Sequence, residues 1–248
     1  MWGELLLFVA IGFGAQLVDG ALGMAYGVTA TTVLLSFGVP PATASASVHA
    51  AEVFTTAASG ISHWRVGNVA PELLWRLIIP GMVGGATGAL LATSVPAEAL
   101  RPVVSLYLLV MGLVILAKGL RGPPSGTMPL RRVPLLGLVG GFLDGAGGGG
   151  WGPLVTSSLV GSGTQPRYAI GSVNFAEFFV TATISGTFVV TIGLELWPII
   201  AGLLLGGVVA APVAALVTRR IKPRLLMLLV GLLIVLLSMR GLVLVFWR

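Results

Sequence analysis

The sequence predicts an all-α protein, a polytopic transmembrane helix bundle made of two inverted repeats whose helices are broken near the midplane. Three observations predict it. The composition is too apolar for a water-facing surface, with 56% hydrophobic and 9% charged residues against about 25% charged in soluble domains. Long apolar runs have the length of a membrane span. An unusual Asp-Gly-Ala motif occurs twice, 125 residues apart.

Taken in order, the simple spans are Ala42 to His63, Leu73 to Ala92, Leu100 to Leu120, Ala169 to Ile192, Leu196 to Val217 and Leu225 to Leu244. Each has close to the ~20 residues that cross a ~30 Å hydrocarbon core. Two stretches do not fit one helix each. Leu5 to Val39, interrupted only by Asp19, would reach ~52 Å as a continuous helix. Val133 to Val160 contains Asp144 and then a glycine run. Both read as two helices joined at the Asp-Gly, because glycine and proline are tolerated where neighbouring helices satisfy the freed backbone. The start, Met1-Trp2-Gly3-Glu4, lacks a basic flank, so the first apolar stretch is expected to stay as a membrane element rather than leave as a signal peptide.

The halves align without a gap. Asp19-Gly20-Ala21 pairs with Asp144-Gly145-Ala146, Ser47-Val48 with Ser172-Val173, and Ala51-Glu52 with Ala176-Glu177. Acids seldom fall in register twice by chance. The expected organisation is a first repeat over residues 1–120, a basic linker over 121–132 and a second repeat over 133–248. Lys118, Arg121, Arg131 and Arg132 place that linker on the cytoplasmic side, where basic residues collect. Walking outwards leaves only Arg101, Arg240 and Arg248 on the far face and puts both termini there. Equivalent loops then lie on opposite faces, the inverted-repeat design of many secondary transporters.

Polar residues inside these spans are the candidate site. Charge at the bilayer centre costs ~2.5–3.5 kcal/mol on insertion scales, so Glu52 and Glu177 call for a reason. Ser45, His49, Glu52, Thr56 and Ser59 share one helical face, as do Asn174, Glu177, Thr181 and Ser185. Two such stripes facing each other would line a cavity. Their bland alternative is interhelical hydrogen bonding, which suits the hydroxyls better than the acids. Asn174 in the repeat place of His49 favours hydrogen bonding there too. Asp19 and Asp144 are read as coupling groups or as caps of helix N-termini. Gly148, Gly149 and Gly150 could offer free N–H groups to an anion at a half-helix start, or simply pack helices closely. Valine at Gly148 or Gly149 is expected to block that approach while the chain still folds.

Signals for other classes are weak. His49-Ala50-Ala51-Glu52 has no second histidine at metal-binding spacing, there is no cysteine, and no nucleophile elbow or phosphate loop occurs. No cofactor or metal is expected. The net charge of +6 belongs to short loops, so nucleic acid is not an expected partner; the lipid bilayer and a small anion are, and a homo-oligomer is allowed.

Four segments resemble the TauE/SafE sulfite exporter family: Val18-Asp19-Gly20-Ala21-Leu22-Gly23-Met24, His63-Trp64-Arg65-Val66-Gly67-Asn68, Gly148-Gly149-Gly150-Trp151-Gly152-Pro153, and Gly171-Ser172-Val173-Asn174-Phe175-Ala176-Glu177-Phe178-Phe179. The likeness runs along essentially the whole chain. It implies a bacterial inner-membrane carrier of sulfur-containing anions such as sulfite, thiosulfate or organosulfonates, often exported. Met24-Ala25-Tyr26 replaces glycine seen in many members, so only the second break matches the family's open pattern.

The resulting expectation is a secondary transporter of sulfite or an organosulfonate. Gly148, Gly149, Gly150, Ser47, Ser172 and Asn174 are the candidate substrate-binding residues. Glu52, Glu177, His49, Asp19 and Asp144 are the candidate coupling or gating residues. The rivals are an anion channel and an intramembrane enzyme using Glu52 and Glu177 as an acid/base pair; the duplicated arrangement speaks against the enzyme.

Overall fold

A computed structural model describes residues 2–22, 24–120, 128–193, 197–220 and 223–246. In chain order they form α1 (Trp2–Leu22), α2 (Tyr26–Ser36), α3 (Pro41–Arg65), α4 (Pro71–Ser94), α5 (Ala97–Leu120), a 3-10 turn (Leu130–Arg132), α6 (Val133–Gly147), a π-helical turn (Gly152–Thr156), α7 (Ser157–Gly161), α8 (Pro166–Ile192), α9 (Trp197–Arg220) and α10 (Pro223–Phe246). No strand occurs among the described residues. Pro41, Pro71 and Pro166 sit in first helical turns, where a missing N–H costs nothing.

Both interrupted stretches are indeed pairs of helices. The breaks fall at residues 24–25 and at 148–150, however, several residues beyond the aspartates. Asp19 and Asp144 are therefore the last-turn residues of α1 and α6 rather than residues of the connection. Four described helices are long and apolar enough to cross a membrane, within Pro71–Ser94, Ala97–Leu120, Tyr168–Ile192 and Met227–Leu244. The span expected over Ala42 to His63 is long enough as α3 but too polar to stand with those four. Its serines, threonines, His49 and Glu52 need protein partners rather than lipid.

The helices pack as α1 on α9, α4 on α6, α5 on α10 and α3 on α8. Shifting every helix by 125 residues exchanges the first two pairs and returns the last two to themselves. Small residues set the closest approaches. A Cβ on Gly141 would strike the Gly81 carbonyl, and one on Gly206 the Val9 carbonyl. α3 and α8 lie 125 residues apart in sequence and run antiparallel. Gly171, Asn174 and Thr181 of α8 meet Asn68, Ser59 and Thr56 in turn. Apolar side chains such as Leu106, Val110, Leu229 and Leu236 remain exposed on the outer helices. In water such a patch would drive aggregation; against lipid tails it is the required surface.

The connections gather on two sets of contacts. Arg101 and Arg240 reach the α2–α3 turn at Gly38 and Ser36. At α3's other end, the turn after it meets Gly171 near the start of α8, and Met128 at the end of the linker bonds Ser162. Arg121, Lys222 and Arg248, which the charge-based topology used, lie outside the described residues, as do the side chains of Arg167, Arg219 and Arg220.

Candidate functional site

The two breaks are built alike. Asp19 Oδ1 accepts the N–H of Tyr26 at 3.3 Å, and Asp144 Oδ1 accepts the N–H of Trp151 at 3.1 Å. Each aspartate thus spans seven residues to cap the next helical segment, satisfying a backbone donor that the break would orphan. The capping expected from sequence is correct, though it is delivered from the preceding helix. The glycine run occupies the left-handed region, with φ of 74°, 147° and 152° at Gly148, Gly149 and Gly150. Ala25, the repeat mate of Gly150, has φ of 93°.

The breaks lie against each other. A Cβ on Gly149 would run into the backbone of Gly27 and Val28, and one on Gly152 would meet Met24 at 3.0 Å. Gly27 and Gly152 are 125 residues apart in sequence, as are Met24 and Gly149, so that offset exchanges the two contacts. Thr31 donates its hydroxyl proton to the Gly148 carbonyl, and Tyr107 donates to the Gly149 carbonyl at 2.6 Å. The N–H groups of Gly148 and Gly149 both turn to the Asp144 carbonyl. Lys118, assigned to topology by sequence, instead donates from Nζ to the Pro153 carbonyl at 2.8 Å. The expectation that valine at Gly148 or Gly149 would leave the fold intact fails here, because a Cβ meets Thr31 at the first and backbone at the second.

The acids converge on this crossing. Glu52 lies beside Gly27, whose N–H faces its carboxyl, and within electrostatic reach of Asp144, Glu177 and Asp19. His49 connects the halves: Nε2 lies 3.1 Å from Asp144 Oδ2, both groups buried. Its Nδ1 is 2.8 Å from the Ser45 carbonyl, with the Ser45 hydroxyl at 3.3 Å. A carbonyl can only accept, so Nδ1 carries a proton. The Nε2–Oδ2 contact joins α3 of the first half to α6 of the second.

The remaining candidates are dispersed. Thr56 and Thr181 touch hydroxyl to hydroxyl at 3.4 Å, and each donates to the carbonyl of its own glutamate. Asn174 donates to Ser59 at 3.2 Å. At these levels the polar stripes meet directly rather than flank a cavity. Ser172 accepts the Ala70 N–H at 2.9 Å, tying α8 to the start of α4, while Ser47 donates back to Thr43 of its own helix at 2.8 Å. Glu177 has no side-chain hydrogen bond among the described residues. No group of three histidine, aspartate or glutamate side chains there is placed to hold a metal ion. Tyr107 went unnoticed in the sequence, and neither Lys118 nor Thr31 was read as a site residue; a tyrosine or lysine inside an apolar run could have flagged the first two.

A helical membrane protein whose broken helices cross amid four acids, Glu52 and Asp144 buried and Asp19 and Glu177 half-buried, belongs, by fold and site, to the transporter class. The family described as Sulfite exporter TauE/SafE matches residues 8–241, and the chain belongs to that family. It is similar to the probable membrane transporter protein YtnM of Bacillus subtilis (strain 168), 42% identical over 251 residues, covering 97% of this chain and 83% of that protein. The probable membrane transporter protein YdhB of the same organism is 29% identical over 163 residues, covering 62% of this chain and 63% of its own.

Proposed function

We propose that the protein is a proton-coupled secondary carrier, not an enzyme, moving sulfite or an organosulfonate across the bacterial inner membrane, with export the physiological direction, driven by the anion's own outward gradient rather than by the proton gradient. The observation that carries this reading is the crossing of two helix breaks amid Asp19, Glu52, Asp144 and Glu177. An anion can approach four carboxyls only if protons neutralise them. Substrate and proton therefore bind together and move in the same direction. Gly148, Gly149 and Gly150 would contact the anion once the breaks part, with Asn174, Ser47 and Ser172 as the side-chain donors expected on α3 and α8. The antiparallel α3 and α8 support inverted repeats over 1–120 and 133–248, and the basic residues support a cytoplasmic linker with both termini outside.

Purified protein in liposomes tests this directly. Sulfite and alkanesulfonate uptake should saturate and show counterflow, which a channel does not. Glu52→Gln and Glu177→Gln should fold normally yet lose the pH dependence of net flux by at least about tenfold, a change of ~1.4 kcal/mol in the coupled step. Full pH-responsive transport by both single variants and the double variant would remove the glutamates from coupling.

Orientation has its own test. Without native cysteine, single cysteines at Ser94 and Ser125 can be labelled by an impermeant reagent. Position 94 should label only from outside and position 125 only from inside. Labelling of both from one side contradicts the topology.

A further inference from the structure

A cavity of about 700 Å³ lies away from the crossing, between the C-terminal end of α2, the start of α5 and the end of α10. Arg101 and Arg240 line it, and Glu98 and Ser238 are also part of its wall. Arg101 donates one N–H to the Gly38 carbonyl at 3.0 Å and Arg240 one to the Ser36 carbonyl at 3.2 Å. Stabilising the carbonyl end of α2 is a sufficient structural reason for one cation, but a guanidinium has five donors. Neither arginine has a carboxylate within ion-pair distance among the described residues, Glu98 included.

Ser238 supplies the second observation. Its side chain is 3% exposed, its hydroxyl has no hydrogen-bond partner, and it lines the same cavity. A buried hydroxyl left unpaired costs about 1–3 kcal/mol, so an acceptor is expected there in some state of the protein. The duplication does not account for these residues. The repeat mates of Arg101, Arg240 and Ser238 are Leu226, Ile115 and Leu113. Among the described residues, two guanidinia without a carboxylate partner and a free hydroxyl therefore belong to one face of the molecule.

We propose that this cavity is an oxyanion-binding vestibule, in which Arg101, Arg240 and Ser238 hold a tetrahedral or pyramidal oxyanion such as a sulfonate, sulfite or sulfate group. Arginine forks suit such oxygens, and apolar walls from Leu35, Leu237 and Leu244 can take a short organic tail. The volume fits a small organic ligand or a hydrated ion. Thr32 lines the vestibule while its neighbour Thr31 bonds the Gly148 carbonyl at the crossing. α2, ~16 Å long, thus leads from one site to the other. Passage from vestibule to crossing rests on the carrier reading above; oxyanion binding in the vestibule does not.

Titration calorimetry of the full-length protein at low salt, in a zwitterionic detergent, tests the site with sulfate, sulfite and methanesulfonate as probes. The parent should bind at least one of them. Arg101→Gln with Arg240→Gln should weaken binding at least tenfold, Ser238→Ala about threefold, and Arg101→Lys less than Arg101→Gln. Unchanged affinity in the double variant, or a parent that binds none of the three, overturns the vestibule. Binding that depends on the arginines in a protein that transports none of the probes leaves the vestibule standing and removes the carrier reading instead. The same titration in phosphatidylcholine and phosphatidylglycerol nanodiscs separates the oxyanion's sources. Loss of sulfate binding only in phosphatidylglycerol identifies a lipid phosphate as the occupant and overturns a site for free ions.

Discussion

Gly149→Ala should abolish the folded protein or lower its stability by at least about 2 kcal/mol, combining overpacking of ~1–3 kcal/mol with left-handed strain of ~1–2 kcal/mol. The added Cβ meets the backbone of Gly27 and Val28, and φ is 147°. No side chain can swing aside, since both partners are main chain at the point where the breaks cross. Gly186→Ala is the control: nothing lies within 4 Å of the new methyl, and the change should be neutral or slightly favourable. Thermal unfolding in detergent and the monodisperse yield compare the two. Equal stability would mean that the breaks do not pack on each other as described.

Asp144 separates structure from coupling more cleanly. Asp144→Ala removes the acceptor of Trp151 N–H and the partner of His49, both buried. Breaking such a pair costs ~3–5 kcal/mol, so this variant should express poorly and unfold early. Asp144→Asn should stay within about 1 kcal/mol of the parent. Its carbonyl can still accept from Trp151, and its amide can donate to Nε2 of a neutral His49 whose Nδ1 proton remains on the Ser45 carbonyl. The amide cannot bind and release a proton. Asp144→Asn should therefore be folded but lose proton-driven accumulation, with exchange across a gradient-free membrane partly retained. A folded Asp144→Asn protein that accumulates substrate normally would make the His49–Asp144 contact purely structural.

The helices and their breaks were legible because their causes are local. Apolar run length gives a span, proline and glycine mark the ends, and two aspartates in register pointed to both breaks. The placement of Glu52 and His49 on one inward face followed from the 3.6-residue period alone, and Phe54, on the other side of α3, is exposed as that period requires. The partners were not legible, because they depend on how helices far apart in sequence pack. Nothing in Asp144 points to His49, 95 residues earlier. The same holds for Tyr107 on the Gly149 carbonyl. Ser172 looked equivalent to Ser47 by repeat position, yet one ties α8 to Ala70 and the other bonds its own helix. The glycine run was read as open to a ligand or as a close-packing surface, and its backbone is in contact with the opposite break. Composition gives small residues two uses, close packing and ligand approach, and only the packing partner tells which holds in a given conformation.

The central claim is that anion and proton cross together, and it has a direct measurement. Liposomes containing the protein and an entrapped pH-sensitive dye are given an inward gradient of methanesulfonate, an anion at every relevant pH, with sulfite run in parallel and no pH gradient imposed. The account predicts that the lumen acidifies as the anion enters, saturably, and that Asp144→Asn removes the acidification. Anion entry with no proton movement, or with protons leaving as the anion enters, would contradict it.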